Sequence, residues 1–175
     1  MVLLTDDGVP TGFLVSGHTS KGGGIDGSVT KLSLDGDVLW HRTVGNPVGG
    51  EGAFAGLGAG NPLLIFDECW GVAPNDAGGG VLACGSGIEG CDELTPGSPL
   101  YNECVADPRT MWRAMLVALD GSGAELWSRV DSYAFPGEGE AAESASEYVF
   151  RTASGGYGSV VDQDFGIGML LVQQP

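Results

Sequence analysis

Basic residues are scarce in this chain. Only 7 lysines and arginines stand against 23 aspartates and glutamates, a formal net charge of −16 over 175 residues. A surface so one-sided repels nucleic acid and anionic lipid, which excludes both as partners. It suits an extracellular protein or one that binds cations. Histidine is nearly missing too, with only His18 and His41. No Cys-x-x-Cys pair and no Cys/His cluster at zinc spacing is present. The serine-hydrolase elbow, Gly-x-Ser-x-Gly, is absent. The glycine-rich stretch Gly17–Gly24 (GHTSKGGG) lacks the order of a phosphate loop and the helix that would supply aligned amides. No apolar run reaches transmembrane length, so membrane insertion is not expected, and MVLLTDDG is too short for a signal peptide. Export would therefore use a signal outside these residues. Finally, no window sustains apolar residues at i, i+3 and i+4, which predicts almost no helix.

What the chain does contain is glycine, 32 residues, and enough hydrophobic residues (42%) for the core of a single domain. The glycines follow no Gly-X-Y period, so a collagen is excluded. They fall between short apolar runs, the pattern of an all-β protein with many tight turns.

Two passages nearly repeat: LSLDGDVLW at 32–40 and VALDGSGAELW at 117–127. Reading outward, the first unit runs Gly12–Gly17, then Gly27–Leu34, a turn at Asp35-Gly36, and Val38–Val44. The second runs Gly80–Gly85, Met111–Leu119, a turn at Asp120–Gly123, and Glu125–Val130. A third, incomplete copy is Ser154–Val161 with Gly166–Val172. One more apolar run precedes each copy: Met1–Leu4, Cys69–Ala73 and Tyr148–Arg151. Each unit is thus a meander of four short antiparallel strands joined by Gly/Asp turns. Trp40 and Trp127 hold the same place in the fourth strand, where a large ring can pack between neighbouring sheets. Alternation puts His41 on the face opposite Trp40. Four-stranded sheets that cannot bury both faces alone must stack, and radial stacking makes a β-propeller. A β-sandwich of about eleven strands is the alternative.

The phrase resembles the blades of bacterial secreted or lipoprotein β-propellers with quinoprotein-like or Kelch-like repeats. The matching residues are Thr5–Gly8, Gly12–Gly17, Asp26–Asp35, Val38–Trp40, Asn75–Gly85, Leu116–Trp127, Ser154–Val161 and Gly168–Val172. The resemblance implies a fold, one propeller or half-propeller domain over 1–175 with blades near 1–50, 64–131 and 146–175. It does not imply an active site, because its motifs specify turns and packing. Three blades, the last incomplete, fall short of the usual four or more. Either the chain is a piece of a longer propeller, or two copies close a pseudo-six-bladed ring as a homodimer, with Met1–Leu4 pairing near the end of the other copy.

Four cysteines, an even set, read as two disulfides formed in an oxidising compartment, so a secreted, periplasmic or cell-surface location is expected. Spacing favours Cys69–Cys84, on adjacent strands about a turn, and Cys91–Cys104, closing a loop of about 14 residues worth roughly 3 kcal/mol. Sequence leaves the two other pairings open.

Two long loops, 45–67 and 91–110, are where binding residues of a rigid scaffold belong. The first functional expectation is a binding module that uses them to hold a protein or glycan ligand. The second is a metal-dependent hydrolase of lactones, esters or phosphotriesters, with calcium or zinc as cofactor. There His18 would act as ligand or general base aided by Asp26, Asp6 or Asp7. Glu51, Asn61, Asp67 and Glu68 would supply further ligands. The acidic turns Asp35-Gly36-Asp37, Asp162-Gln-Asp164 and Asp131 are possible calcium contacts without EF-hand spacing. The run Glu138–Glu143 reads as a solvated loop.

Overall fold

The computed structural model describes residues 1–19, 25–45, 64–89, 91–106, 112–130, 133–134, 141–163 and 166–172. Within them one turning device recurs at Ser33–Asp37, Asn75–Gly79, Asp120–Ala124 and Thr152–Gly156. Each time the fourth residue, a glycine, donates its N–H to the carbonyl of the first at 3.0–3.3 Å, and the first donates back to the fifth at 2.8–3.1 Å. The four glycines, Gly36, Gly78, Gly123 and Gly155, have φ of 91°, 73°, 82° and 88°. This is a type I turn closed by a left-handed residue, a conformation glycine adopts without Cβ strain. The first residue is always short and polar, and in three of the four its side chain also caps the turn. Asp120 Oδ1 accepts from the N–H groups of Ser122 and Ala124, Asn75 Oδ1 from those of Ala77 and Gly79, and Ser33 Oγ from that of Asp37.

These turns fold the chain into antiparallel meanders. Strands β1 (Val2–Asp6), β2 (Val9–Thr19), β3 (Asp26–Leu32) and β4 (Val38–Val44) form the first sheet in chain order. Strands β5 (Leu64–Pro74), β6 (Gly80–Glu89), β7 (Arg113–Leu119) and β8 (Glu125–Val130) form the second. A small ladder joins β9 (Tyr133–Ala134) to β10 (Ala141–Ala142). The third sheet holds β11 (Ser144–Arg151), β12 (Tyr157–Gln163) and β13 (Gly166–Val172). The expected all-β class and antiparallel four-stranded sheets are therefore observed.

The sheets stack face to face, always in the same sense. Leu4, Leu14, Val29 and Val44 of the first sheet form one cluster with Val72, Leu82, Met115, Val117 and Leu119 of the second. The opposite side of the second sheet, through Ala73, Val81, Ala83, Leu116 and Ala118, forms another with Val149 and Tyr157 of the third. Because side chains alternate, β7 sends Met115, Val117 and Leu119 one way and Leu116 and Ala118 the other. That is why its sequence, RAMLVAL, is almost unbroken in apolar residues and buried from Ala114 onward. Two glycines permit the close approach between layers. A Cβ on Gly27 would lie 2.7 Å from Cys69 Sγ, and one on Gly71 would lie 2.9 Å from the Glu147 carbonyl oxygen.

The repeated phrase is not in register where it looks identical. Trp40 pairs with Lys31 and Trp127 with Ala118. Gly36 and Gly123 occupy the same turn position, so Ser33, and not Asp35, corresponds to Asp120. The third strand of the first unit accordingly ends at Leu32, two residues short of the expected Leu34. The tryptophans are equivalent as expected, but each is partly buried rather than enclosed. Trp40 lies between the first two sheets and donates its indole N–H to the Gly121 carbonyl at 3.0 Å.

Almost no helix was expected, and among the described residues there is one short α-helix, α1 (Pro99–Ala106), after a 3-10 turn at Cys91–Glu93. Ser98 caps it, its Oγ accepting from the Tyr101 N–H at 3.1 Å, with Pro99 at the first helical position. No helix among the described residues is long and apolar enough to cross a membrane.

Candidate functional site

Both disulfides form as expected. Cys69–Cys84 joins opposed residues of β5 and β6 with Cα atoms 4.0 Å apart, and Cys91–Cys104 brackets the loop at 5.7 Å. The first pair is sealed inside the core, with both residues 1% exposed or less. The second turns residues 91–104 into a closed element, anchored by the buried Cys104 and presenting the exposed Val105 just beyond it. Loop 91–110 is thus a folded structure over its described part, 91–106.

The proposed ligand residues distribute as follows. His18, near the end of β2, is exposed and pairs with Gly27, while Asp26 opens β3 opposite Thr19. Asp67 is buried at 5% exposure on the side of the second sheet that faces the first. Its backbone N–H donates to the Ile25 carbonyl at 2.7 Å, and a Cβ on Gly45 would sit 2.5 Å from its Oδ2. Glu68, one residue on, points to the other side by strand alternation. Glu51 and Asn61 lie outside the described residues, as do Asp131 and Asp164 of the acidic turns. Among the described residues no three His, Cys, Asp or Glu side chains stand close enough to hold a metal ion. Asp6 and Asp7 belong to the tight β1–β2 turn, where Asp7 itself has φ of 46°.

What the fold does assemble is an acidic and aromatic strand end between the second and third sheets. Glu147 occupies the bulge of β11 between Ser146 and Tyr148. Partial burial raises its pKa above the ordinary carboxylate value, and the negative charges of Asp162 and Glu68 push the same way. Nearby, Trp112 meets Phe66 at 6.4 Å and Trp70 at 6.2 Å between ring centroids, both tilted contacts. The Trp112 ring covers Gly85 and Gly87, where added Cβ atoms would come within 2.8 and 3.0 Å of it. Ser144 ties this corner together, donating its N–H to the Trp112 carbonyl at 2.9 Å and accepting from the Ala114 N–H at 3.1 Å. The Ser146 hydroxyl beside it is buried without a hydrogen-bond partner. Carboxylates beside partly exposed aromatic rings suit a polar or cationic ligand with an apolar face. No single motif reveals this corner, because its members lie on four different strands, β5, β6, β11 and β12, and the segment before β7. The alternating Gly85 and Gly87, which leave room for a ring on one side of β6, were the available signal.

No known protein family matches the chain, and none of the curated proteins is significantly similar to it.

Proposed function

We propose that the chain is a secreted, periplasmic or surface-exposed binding module built of β-propeller blades, two copies of which close a ring of six sheets. Its loops 45–67 and 91–110 take up a protein or glycan ligand. The observation that carries this reading is the repeated stacking of meandering sheets in one sense, with a disulfide-closed element set on the second sheet. Such a scaffold is rigid where it packs and variable where it binds. The acidic surface favours ligands that are neutral or cationic. The metal-dependent hydrolase reading has no group of three metal-ligating side chains among the described residues to support it, and its candidates Glu51 and Asn61 lie outside them.

The test replaces residues 92–103 with a glycine-serine segment of equal length, keeping Cys91 and Cys104. Binding of wild type and variant to arrays of neutral glycans and of basic peptides is then compared, with circular dichroism as the check on folding. A ligand held by wild type and lost by the folded variant is the expected result. Equal binding profiles, or a wild type that holds nothing on either array, would overturn the assignment.

A further inference from the structure

The stack has two ends, and the two ends are complementary. Each sheet has a leading side and a trailing side. The leading side of the first sheet carries Leu14, Val29 and Trp40, and it packs on the trailing side of the second, with Leu82, Val117 and Leu119. The leading side of the second sheet carries Val81, Leu116 and Trp127, and it packs on the trailing side of the third, with Val149 and Tyr157. One type of contact is therefore made twice within a single chain.

Among the described residues the same two sides recur without a partner sheet at the ends. On the trailing side of the first sheet, strand pairing lines up Leu3 with Phe13, Phe13 with Leu32, and Leu32 with Val38. Leu3 is 44% exposed and Val38 65%, while Phe13, Val15 and Leu32 are half-buried. On the leading side of the third sheet stands Tyr148, 58% exposed, stacked on Phe150 with ring centroids 6.5 Å apart. The tip of the Phe150 ring lies against Gly158, whose added Cβ would overlap it, and Val160 continues the surface. Both patches are apolar at these positions, while strand alternation sets Asp26 on the same side as Leu32 and Asp162 on the same side as Val160. The apolar residues supply the contact, and the two carboxylates lie toward the strand ends remote from the turns at Ser33–Asp37 and Thr152–Gly156.

We infer that the leading side of the third sheet receives the trailing side of the first sheet of a second copy, in the arrangement already used twice inside the chain. This rests on the blade reading above and specifies its partner surface. Face stacking is heterologous, so two copies related by a two-fold axis make the contact twice, Tyr148 of each approaching Val38 of the other, and leave no end face open.

The experiment uses Tyr148→Lys and Val38→Glu, both at exposed positions, in the intact oxidised chain. Wild type is expected to sediment at twice the chain mass of 17.8 kDa. Each variant alone is expected to weaken self-association roughly a hundredfold or more, since both copies of the contact are damaged. Mixing the two variants restores the dimer, because a mixed pair has one untouched contact and one in which lysine faces glutamate. Val105→Lys, on the exposed side of α1, is expected to leave association unchanged. A monomeric wild type, a dimer indifferent to both substitutions, or a mixture that stays monomeric would overturn the inference. Species that lengthen with concentration would overturn the closed two-copy form. A monomer that still shows the Leu119 sensitivity developed below would reject this interface and keep the stacked-sheet reading, which separates the two failures.

Discussion

Leu34 and Leu119 occupy identical places in the repeated Leu-Asp-Gly phrase, and the structure says they are not equivalent. Leu119 is 3% exposed, inside the cluster between the first and second sheets, whereas Leu34 is 51% exposed in a turn. Truncating a buried leucine to alanine loses both its transfer free energy and the packing around the cavity left behind, about 2–5 kcal/mol in total. Leu119→Ala is therefore expected to cost about 3 kcal/mol, and Leu34→Ala no more than about 0.5 kcal/mol. For a urea dependence of about 2 kcal/mol/M, the first lowers the unfolding midpoint by about 1.5 M and the second leaves it within about 0.3 M. The assay is equilibrium urea unfolding with disulfides intact, followed by tryptophan fluorescence and far-UV circular dichroism. Leu32→Ala, at the position that truly matches Leu119, should fall between the two in the dissociated chain, where its side of the sheet is only half covered, and approach Leu119→Ala in the dimer. Equal midpoints for Leu34→Ala and Leu119→Ala would refute the register, and with it the assignment of sheet sides.

Three further outcomes are expected. Gly79→Ala should abolish folding or lower the melting temperature severely, since its Cβ would sit 2.1 Å from the Leu119 carbonyl oxygen. Gly97→Ala, in open space at φ of 83°, should cost only about 1–2 kcal/mol in the same thermal scan. Removing Cys69–Cys84 by double serine substitution should cost about 3 kcal/mol for its separation of 15 residues, read by urea unfolding of the oxidised chain. Two of the shifted carboxylates, Asp76 and Glu147, should oppose each other as pH falls. Asp76, held below the usual range by its hydrogen bond to Arg151, stabilises above its unfolded pKa, and that stability is lost as pH drops through the depressed value. Glu147, raised by burial, contributes stability that is full below its unfolded pKa and lost as pH rises through the raised one. Glu147→Gln should therefore remove that loss, and Arg151→Gln should return Asp76 to ordinary carboxylate titration in an NMR pH series.

The all-β class, the meander and the cysteine pairing were all legible in the sequence because each has a local cause. Alternating apolar residues make half-buried strands, glycine after a short polar residue makes the turn, and Cys69 and Cys84 are brought opposite each other by a turn between them. The helix at Pro99 was also legible in principle, from the Ser98 cap followed by proline, but no apolar period announced it. The turn's register was not legible, because Leu-Asp-Gly reads the same whether aspartate opens the turn, as Asp120 does, or sits inside it, as Asp35 does. Only the hydrogen bonds of Ser33 and Asp120 distinguish the two. Likewise, strand periodicity divides Leu116 from Val117 but does not say which neighbouring sheet each meets. That depends on how whole sheets stack, a choice fixed by close approach at Gly27 and Gly71 and by contacts between residues far apart in the chain. The acidic corner at Glu68, Glu147 and Asp162 exists for the same reason. The sequence determined the strands and their turns, since these are settled between near neighbours. Tertiary structure alone decided the order of faces and the charges brought together between them.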